Sequence, residues 1–329
     1  MRALVCKNYG SPDDLVLEEV DDPVAGAGEI VVDIEAAGLN FPDVLVIGGQ
    51  YQVKMPPPFI PGHEAAGVVT AVGEGAGRFE VGDKVIITPS TGAFAERCAV
   101  PEKLAMPVPD GLDLGQAAGF TITYSTSYHA LVQHAQLKKD ETVLVLGAAG
   151  GVGITAVEIA KALGARVIAA ASTDEKLEFA KSAGADETIN YGEGPLKDAV
   201  REITDGAGAD VIYDPVGGEH GEQALRTIAR GGRYLVIGFA SGAIPSFPAN
   251  LILLKEANVM GVWWGPWATR NPQLQVQNLQ AMGEMIGKGL LHPRVTDSYS
   301  LDEFKEAFRA ITDRRVRGKV VFRMGQGPG

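Results

Sequence analysis

Apolar and polar positions alternate over short runs in the first 110 residues of this chain. Runs such as EIVVDIEAAG, GVVTAVGEG and DKVIITP are rich in β-branched residues, and turns rich in Gly, Pro and Asp separate them. Short alternating runs between turn residues indicate strands of an antiparallel sheet. This part of the chain is therefore predicted to form a β-rich domain with much irregular loop.

The pattern changes near residue 115. GQAAGFTITYSTSYHALVQHA spaces its small and apolar residues as a helix does, and the continuous apolar run TVLVLG follows it. From there helix-like and strand-like segments alternate as far as RYLVIGF, which is typical of βαβ units in a buried parallel sheet. The remainder predicts helices in PQLQVQNLQAMGEMIGKG and SLDEFKEAFRAITDRR, a strand in GKVVFRM and a frayed GQGPG tail.

Composition and charge narrow the classes of partner. The chain has 329 residues, which favours two domains, and a formal charge of −12. Because it also lacks a cluster of Lys and Arg, neither nucleic acid nor an anionic membrane surface is an expected partner, and no apolar run reaches membrane-spanning length. Small molecules are the expected partners, and two cysteines far apart in the sequence favour a reducing, cytoplasmic compartment.

The segment LVLGAAGGVGITAVEIAKALGA predicts a dinucleotide site. It follows a predicted strand and opens a predicted helix, the context in which a glycine-rich fingerprint binds a pyrophosphate. Gly150 would let the backbone approach the phosphates and Gly153 would allow close packing of helix on strand, whereas Ala148 departs from the strict motif. The predicted site covers Gly150, Gly151, Val152 and Gly153; a glycine-rich turn that binds nothing is the alternative.

The end of the next predicted strand decides between the two nicotinamide cofactors. An NAD enzyme usually carries Asp or Glu there, but RVIAAASTDEK has Ser172 at that point and Lys176 one helical turn later. A hydroxyl and an ammonium group favour the 2′-phosphate of NADPH, although Asp174 opposes it. Alternatively, Ser172 caps the helix, with Glu175 completing a capping box. Tyr191 would flank the adenosine phosphate or pack at a strand end.

Several segments resemble the medium-chain dehydrogenase/reductase superfamily: IPGHEAAG, GRFEVGDKVI and AAGGVG, in this order and spacing. NFPDVLVIGGQY, INY, GFASG, SFPANLILLK and GKVV extend the resemblance over nearly the whole chain, which is similar to the zinc-independent quinone oxidoreductase branch. The resemblance implies an α/β protein with a GroES-like β-rich catalytic domain and a Rossmann doubly wound parallel-sheet nucleotide domain. It implies domain ranges 1–120, 121–267 and 268–329, the last returning to the catalytic domain, with NADPH across the cleft and commonly a homodimer.

The resemblance also bears on zinc. In zinc-dependent relatives the metal is held at the positions of Asn40, His63 and Ile122 in this chain, and only His63 keeps a ligating side chain. Asparagine and isoleucine cannot replace thiolates, and one imidazole beside Glu64 leaves a tetrahedral site incomplete. No metal is therefore expected. His63 either borders the substrate pocket or anchors its loop by hydrogen bonds.

Without zinc, an alcohol has no Lewis acid to polarise it, so the expected reaction is hydride transfer from NADPH to an electron-poor acceptor. A quinone, an α,β-unsaturated carbonyl or an enoyl thioester would serve. The resemblance implies that Asn40, Asp43 and Tyr51 line the reaction end of the cleft, with Tyr51 as a candidate proton donor and Asp43 fixing the loop. Leu45 replaces another tyrosine often found there, and Asn40 alternatively forms an Asx-type turn.

The remaining candidate residues lie in the nucleotide half. GVWWGPW clusters three tryptophans, which predicts a wall of the acceptor pocket from Trp263 and Trp264, with a subunit interface or core packing as alternatives. The implied further cofactor contacts are Thr126, Gly217, Gly238 and Phe239, of which Thr126 and Phe239 of GFASG would lie near the nicotinamide. Two other functions compete with the reductase: a zinc-type alcohol dehydrogenase, and a non-catalytic NADPH-binding protein with a crystallin-like or sensing role.

Overall fold

The computed structural model describes residues 1–325 and divides into two compact units. Unit 1 consists of Met1–Ile122 and Pro293–Gly329, and unit 2 of Thr123–His292. The frayed tail predicted for GQGPG lies, except for its first residue, outside the described residues.

Unit 1 is built mainly from strands. Its first segment contains these strands and helices in chain order: β1 (Arg2–Val5), β2 (Val16–Glu19), β3 (Glu29–Leu39), α1 (Phe41–Ile47), β4 (Ala65–Val72), β5 (Lys84–Ile87), β6 (Arg97–Pro101), β7 (Ala105–Pro107) and α2 (Leu114–Ala118). Two short 3-10 turns, Pro12–Asp14 and Glu102–Leu104, connect them.

Unit 2 alternates helices and strands. Its elements in chain order are α3 (Thr121–Tyr128, which starts just before the unit boundary), a π-helical turn (His129–His134), β8 (Thr142–Leu146), α4 (Gly151–Ala162), β9 (Arg166–Ala171), α5 (Asp174–Ser182), β10 (Glu187–Asn190), α6 (Leu196–Ile203), β11 (Ala209–Asp214), α7 (Gly218–Leu225), β12 (Ile228–Val236), α8 (Ala249–Lys255), β13 (Asn258–Gly261), α9 (Trp264–Arg270) and α10 (Pro272–Gly287). The chain then returns to unit 1 with β14 (Val295–Ser300), a 3-10 turn (Leu301–Glu303), α11 (Phe304–Thr312) and β15 (Lys319–Arg323).

The main sheet of unit 1 has seven strands in the order β14-β15-β3-β4-β5-β7, and β6 also pairs with β3. All pairs are antiparallel except β14 with β15. Along β3, Ile30, Val32 and Ile34 alternate into one buried cluster that also contains Phe94 and Phe322. The alternation in the sequence thus corresponds to one core-facing side of the strands, and the predicted β-rich domain is confirmed.

Unit 2 contains six parallel strands in the order β10-β9-β8-β11-β12-β13. The order reverses beside β8, as in a doubly wound nucleotide-binding sheet, and such sheets bind ligands at the carboxyl ends of strands near that point. Four consecutive residues of β8, Val143–Leu146, are fully buried, because helices cover both faces of a parallel sheet. The Rossmann prediction from the βαβ pattern is confirmed.

The return to unit 1 begins at Pro293, not at residue 268 as predicted. Side-chain hydrogen bonds explain the difference, because they hold α9 and α10 inside unit 2. Trp264 Nε1 donates to Gln275 Oε1 at 3.0 Å, and Gln275 Nε2 donates to Ser125 Oγ at 3.1 Å. No helix within residues 1–325 is both long and apolar enough to cross a membrane.

Candidate functional site

Five polar side chains of unit 1 form what we call the polar cluster: Asn40, Asp43, His63, Glu64 and Lys319. Asn40 precedes α1 and Asp43 lies in its first turn. His63 and Glu64 directly precede β4, and Lys319 opens β15. Because β15 pairs with the end of β3, the return segment carries Lys319 to the start of α1.

Lys319 and Glu64 form a buried ion pair at the centre of the cluster. Lys319 Nζ lies 2.6 Å from Glu64 Oε1 and donates to Asn40 Oδ1 at 2.5 Å. Asn40 Nδ2 donates to Glu64 Oε1 at 3.0 Å, and the Ile122 N–H donates to Glu64 Oε2 at 2.8 Å. Glycine is required at position 119, because a Cβ there would lie 2.5 Å from Lys319 Cγ. The carboxylate of Glu64 is therefore both neutralised and hydrogen-bonded, as a buried charge must be.

Asp43 connects Asn40 to His63. Its Oδ2 accepts from the Asn40 backbone N–H at 2.7 Å, and its Oδ1 lies 2.6 Å from His63 Nδ1. Asp43 is fully buried, whereas the His63 side chain is 23% exposed. Burial by itself lowers the pKa of His63, but the hydrogen bond and charge of Asp43 and the charge of Glu64 outweigh it, so the pKa is raised above 6.5.

The donor set at the zinc positions of the relatives does not fit a zinc ion. Asn40 Oδ1 accepts from Lys319, and Ile122 offers only a backbone N–H that points to Glu64. Lys319 already supplies the positive charge that balances Glu64, so a divalent cation would meet an ammonium group. Within residues 1–325, no group of three or more His, Cys, Asp and Glu is arranged to hold a metal ion.

Tyr51 makes no side-chain hydrogen bond to the polar cluster among the described residues. Its backbone N–H donates to the Leu45 carbonyl at 3.1 Å, which folds the chain back beyond α1. Tyr51 and Leu45 are both half-buried. Among the described residues, the hydrogen-bonded chain from Lys319 to His63 runs through Asn40 and Asp43 and does not include Tyr51.

The nucleotide fingerprint forms the turn between β8 and α4, as predicted. Gly150 is the N-cap residue of α4, and the next three N–H groups, of Gly151, Val152 and Gly153, precede any acceptor within the helix. A Cβ on Gly153 would lie 2.2 Å from the Gly147 carbonyl oxygen, so the close approach of helix and strand needs glycine. These free donors at the positive end of a helix fit the pyrophosphate of a dinucleotide.

The end of β9 offers a hydroxyl and an ammonium group. Ser172 is exposed directly after β9, and Lys176 Nζ donates to its Oγ at 3.4 Å. Thr173, not Ser172, is the N-cap residue of α5, so the capping alternative for Ser172 is wrong. Asp174 Oδ1 accepts from Asn190 Nδ2 at 2.8 Å, which partly satisfies the carboxylate that opposed a 2′-phosphate. The end of β9 thus offers a phosphate one hydroxyl and one ammonium group, and the charge of Asp174 still opposes it.

Tyr191 lies beside the same strand end. Its backbone N–H donates to the Ala171 carbonyl at 3.1 Å, and its ring centroid lies 4.2 Å from that of His220. His220 Nδ1 is buried without a hydrogen-bond partner among the described residues. Sequence reasoning missed His220, and the only signal for it was a titratable residue two positions after the glycine pair that follows β11.

Three of the predicted cofactor contacts, Gly217, Gly238 and Phe239, meet at the ends of β11 and β12. The Gly217 N–H donates to Asp214 Oδ1 at 2.8 Å, and a Cβ on Gly217, whose φ is +67°, would lie 3.0 Å from Phe239 Cδ1. The Gly238 N–H donates to the Asp214 carbonyl at 3.3 Å. Thr126 is half-buried on α3 of the same unit. The buried Asp214, which sequence reasoning did not select, holds this turn together.

The tryptophans of GVWWGPW lie in different surroundings. Trp263 is 46% exposed, and the indole N–H of Trp264 is bound by Gln275. The ring of Trp267 stacks on His129 with centroids 4.0 Å apart. Trp267 is thus part of the packing of unit 2, while the proposal of a pocket wall concerns Trp263 and Trp264.

Two family models match the chain in the order of its units. Residues 26–110 match the alcohol dehydrogenase GroES-like domain, and residues 151–279 match the zinc-binding dehydrogenase domain. Quinone oxidoreductase-like protein 2 of Bos taurus is 37% identical over 321 residues, covering 97% of this chain and 91% of that protein. The chain belongs to the quinone oxidoreductase-like proteins of the medium-chain dehydrogenase/reductase superfamily.

Solved structures of this superfamily share the fold over the full length. Escherichia coli quinone oxidoreductase complexed with NADPH superposes with a TM-score of 0.91 at 29% identity, covering 98% of this chain and 100% of that one. The CurK enoyl reductase superposes with a TM-score of 0.87 at 26% identity, covering 98% of each chain. The predicted combination of a GroES-like domain and a Rossmann domain is therefore confirmed.

Proposed function

We propose that this protein is an NADPH-dependent, zinc-independent reductase of quinones or of activated α,β-unsaturated carbonyls, including enoyl thioesters. The observation that carries the proposal is the buried ion pair of Lys319 with Glu64 among the positions that hold zinc in relatives. An ammonium group neutralises a carboxylate but offers no open coordination position to an alkoxide. Reduction of an acceptor that is already electron-poor needs orientation and hydrogen bonds instead.

The charges at the end of β9 support NADPH over NADH. Ser172 and Lys176 offer a hydroxyl and a cation to a 2′-phosphate, while Asn190 binds the carboxylate of Asp174. The similar Escherichia coli quinone oxidoreductase was solved with NADPH. When bound, the reduced nicotinamide supplies the hydride.

The residues of unit 2 bind and orient the cofactor in this proposal. The first-turn N–H groups of α4 hold the pyrophosphate, and Tyr191 with His220 flanks the adenosine phosphate. The turn around Gly217, Gly238 and Phe239, together with Thr126, contacts the nicotinamide end.

In this proposal His63, the most exposed member of the polar cluster, and Tyr51 are the acceptor-side residues of unit 1, and Trp263 and Trp264 are pocket residues of unit 2. Asn40 has its amide oxygen and nitrogen both engaged, by Lys319 and Glu64, so it positions the loop more directly than it binds an acceptor. Similarity to the CurK enoyl reductase supports enone-type acceptors beside quinones. A binding protein without turnover remains the competing function.

We also propose a homodimer formed through unit 2. Among the described residues, β13 is an edge strand of the six-stranded sheet and pairs only with β12. Exposed apolar side chains lie in and close to β13 in the sequence: Leu253 and Leu254 of α8, Val259 of β13, and Trp263. An exposed edge with apolar side chains favours pairing with another chain. The cytoplasmic location remains a prediction, in keeping with the two buried free thiols of Cys6 and Cys98.

The test is a panel of quinones, enones, alkenals and enoyl thioesters, assayed with NADPH and with NADH. Oxidation of NADPH by at least one acceptor, at a higher kcat/KM than with NADH, is expected. Lys176→Ala should raise the KM for NADPH about tenfold, the loss of one charge-assisted contact, with little effect on NADH. Lys181→Ala on the same helix is the matched control. Normal NADPH binding without turnover of any acceptor would refute the proposal.

A further inference from the structure

We propose that His63, oriented by Asp43, is the general acid that protonates the acceptor as it is reduced. The inference rests on the proposed reductase function and adds to it the proton donor. It assigns His63 a catalytic role and Asp43 the role of a positioning residue.

The geometry of Asp43 leaves it only the positioning role. One carboxylate oxygen accepts from the Asn40 N–H at 2.7 Å, and the other lies 2.6 Å from His63 Nδ1. Because Asp43 is fully buried, it cannot touch a bound acceptor. A buried carboxylate that fixes one ring nitrogen of a histidine sets the tautomer and stabilises the imidazolium form.

His63, unlike Asp43, is exposed enough to contact a bound acceptor. Its Nδ1 faces Asp43, so the nitrogen on the other edge of the ring, Nε2, is the one that can meet an acceptor. The side chain is 23% exposed, which makes it more accessible than Asp43, Glu64 or Lys319. An accessible imidazole with a buried carboxylate behind it has the arrangement that proton transfer requires.

The charges around His63 favour its protonated form. Two carboxylates, Asp43 and Glu64, face it from the start of α1 and from its own loop, and Lys319 of β15 balances one of them. The imidazolium then completes a cluster of two positive and two negative charges. This agrees with a pKa of His63 raised above 6.5, since the attraction of Asp43 and Glu64 outweighs burial.

The neighbouring positions provide a reason for a histidine donor. Leu45 has no proton to give, and Tyr51 lies outside the hydrogen-bonded chain that ends at His63. A phenol ordinarily has a pKa of about 10, whereas an imidazole titrates close to neutral pH. General acids act best when their pKa lies near the working pH.

The step balances as follows for an enone. A hydride adds to the β-carbon, and the π electrons move to the carbonyl oxygen. In an enone the C=C π pair of the resulting enolate forms a bond at the α-carbon to the proton of His63 Nε2, whose N–H bond breaks, and the carbonyl re-forms from the oxygen lone pair; in a quinone the oxygen takes this proton. His63 becomes neutral, Asp43 remains a carboxylate, and solvent returns one proton. The sum is acceptor plus reduced nicotinamide plus a proton, giving the reduced acceptor and oxidised nicotinamide.

The first experiment follows enone reduction by the wild-type protein and three variants over pH. His63→Gln should lower kcat about 100-fold, within the usual range for general acid catalysis, and leave the KM for NADPH unchanged. The wild-type kcat should fall as pH rises through the pKa of His63, and this limb should be absent in His63→Gln. Asp43→Asn should move the limb to lower pH, whereas His134→Gln, a histidine variant in unit 2, should retain it.

The second experiment does not depend on turnover and remains decisive if His63→Gln folds poorly. Proton NMR titration of the cofactor-free protein should give His63 a pKa above 6.5 that falls in Asp43→Asn. A pKa of 6.5 or below would overturn the inference, as would an unchanged kcat and pH limb in His63→Gln. If Tyr51→Phe alone removed the limb, Tyr51 would be the donor and the inference would fail while the proposed function stands. A wild-type protein that reduces no acceptor would refute the proposed function itself, whatever the NMR titration shows.

Discussion

At the residue scale, the buried carboxylate of Glu64 depends on one ammonium group. Lys319 lies 2.6 Å away and is only 7% exposed. Removing one partner of a buried ion pair leaves an uncompensated charge, which costs about 3–5 kcal/mol. Lys319→Met should therefore lower the free energy of unfolding by about that amount, measured by urea titration.

Two further variants make this test specific. Adding Glu64→Gln to Lys319→Met removes the unpaired carboxylate charge. The double variant should therefore recover part of the free energy of unfolding that Lys319→Met loses. Arg309→Met, which breaks an exposed pair with Asp13, should have little effect because surface salt bridges contribute little. Equal losses in the Lys319 and Arg309 variants would contradict the buried ion pair.

His129 should make the stability of unit 2 sensitive to acid. Burial, followed by the charge of His134, lowers the pKa of His129 to about 4, although the hydrogen bond from His129 Nδ1 to the amide oxygen of Gln133 opposes the shift. Between that value and 6.5 the unfolded chain binds more protons, so the free energy of unfolding falls as pH is lowered. His129→Phe, which keeps an aromatic ring against Trp267, should flatten this dependence in thermal unfolding scans followed by tryptophan fluorescence. Identical slopes for both proteins would show that His129 does not titrate as stated.

The members of the polar cluster differ in whether the sequence could predict them. Asn40, Asp43 and His63 were selected from local motifs, and the structure brings them together. Lys319 was not selected, since it lies 279 positions from Asn40 and only the pairing of β15 with β3 joins them. A pattern read along the chain contains no signal for a contact made by strand pairing of this kind.

At the element scale, two glycines at the start of α4 have different roles: Gly153 allows the helix to pack on β8, and Gly150 allows a phosphate to approach. A Cβ on Gly153 would lie 2.2 Å from the Gly147 carbonyl oxygen, whereas a Cβ on Gly150 would meet the same atom at 3.4 Å. Gly153→Ala should therefore destabilise unit 2 by about 1–3 kcal/mol, as overpacking does. Gly150→Ala should retain stability and lose NADPH affinity, because its methyl group meets the phosphates.

Unfolding curves and NADPH titration by fluorescence check this pair of variants. The opposite assignment, with Gly150→Ala unstable and Gly153→Ala normal, would contradict the packing described for β8 and α4.

The helical spacing of apolar residues predicted where helices form, but it did not predict where a helix breaks. The segment from residue 115 to 135 was predicted as one helix, but it forms α2, α3 and a π-helical turn. The break falls at Gly119, where a side chain would collide with Lys319. The break between α2 and α3 thus follows from the contact of Gly119 with Lys319. The spacing of apolar residues along the chain carries no information about such a tertiary contact.

At the scale of the whole molecule, the alternation of strands and helices was sufficient to predict the Rossmann sheet. The return of the chain was predicted 25 residues too early, at residue 268 instead of 293. Side-chain bonds such as that of Trp264 with Gln275 keep the intervening helices in unit 2. Amphipathic helices look alike whichever unit they cover, so their spacing could not place this boundary.

The proposed homodimer is also tested at this scale. Light scattering should give twice the mass of one chain. Leu253→Glu with Leu254→Glu should shift the protein to monomers, because buried like charges would face each other across a symmetric interface. Leu290→Glu, an equally apolar exposed position outside α8, is the control and should leave the mass unchanged. A wild-type monomer at micromolar concentration would contradict the proposal.

We propose above that this protein reduces electron-poor acceptors with NADPH and has an ammonium group, that of Lys319, in place of zinc at the centre of its polar cluster. The most direct measurement is NADPH oxidation with a quinone and an enone by chelator-treated protein whose metal content has been determined. Full activity with far less than one zinc per chain is expected, and added zinc should not increase it. Activity that is lost with the chelator and regained in proportion to bound zinc would contradict the account.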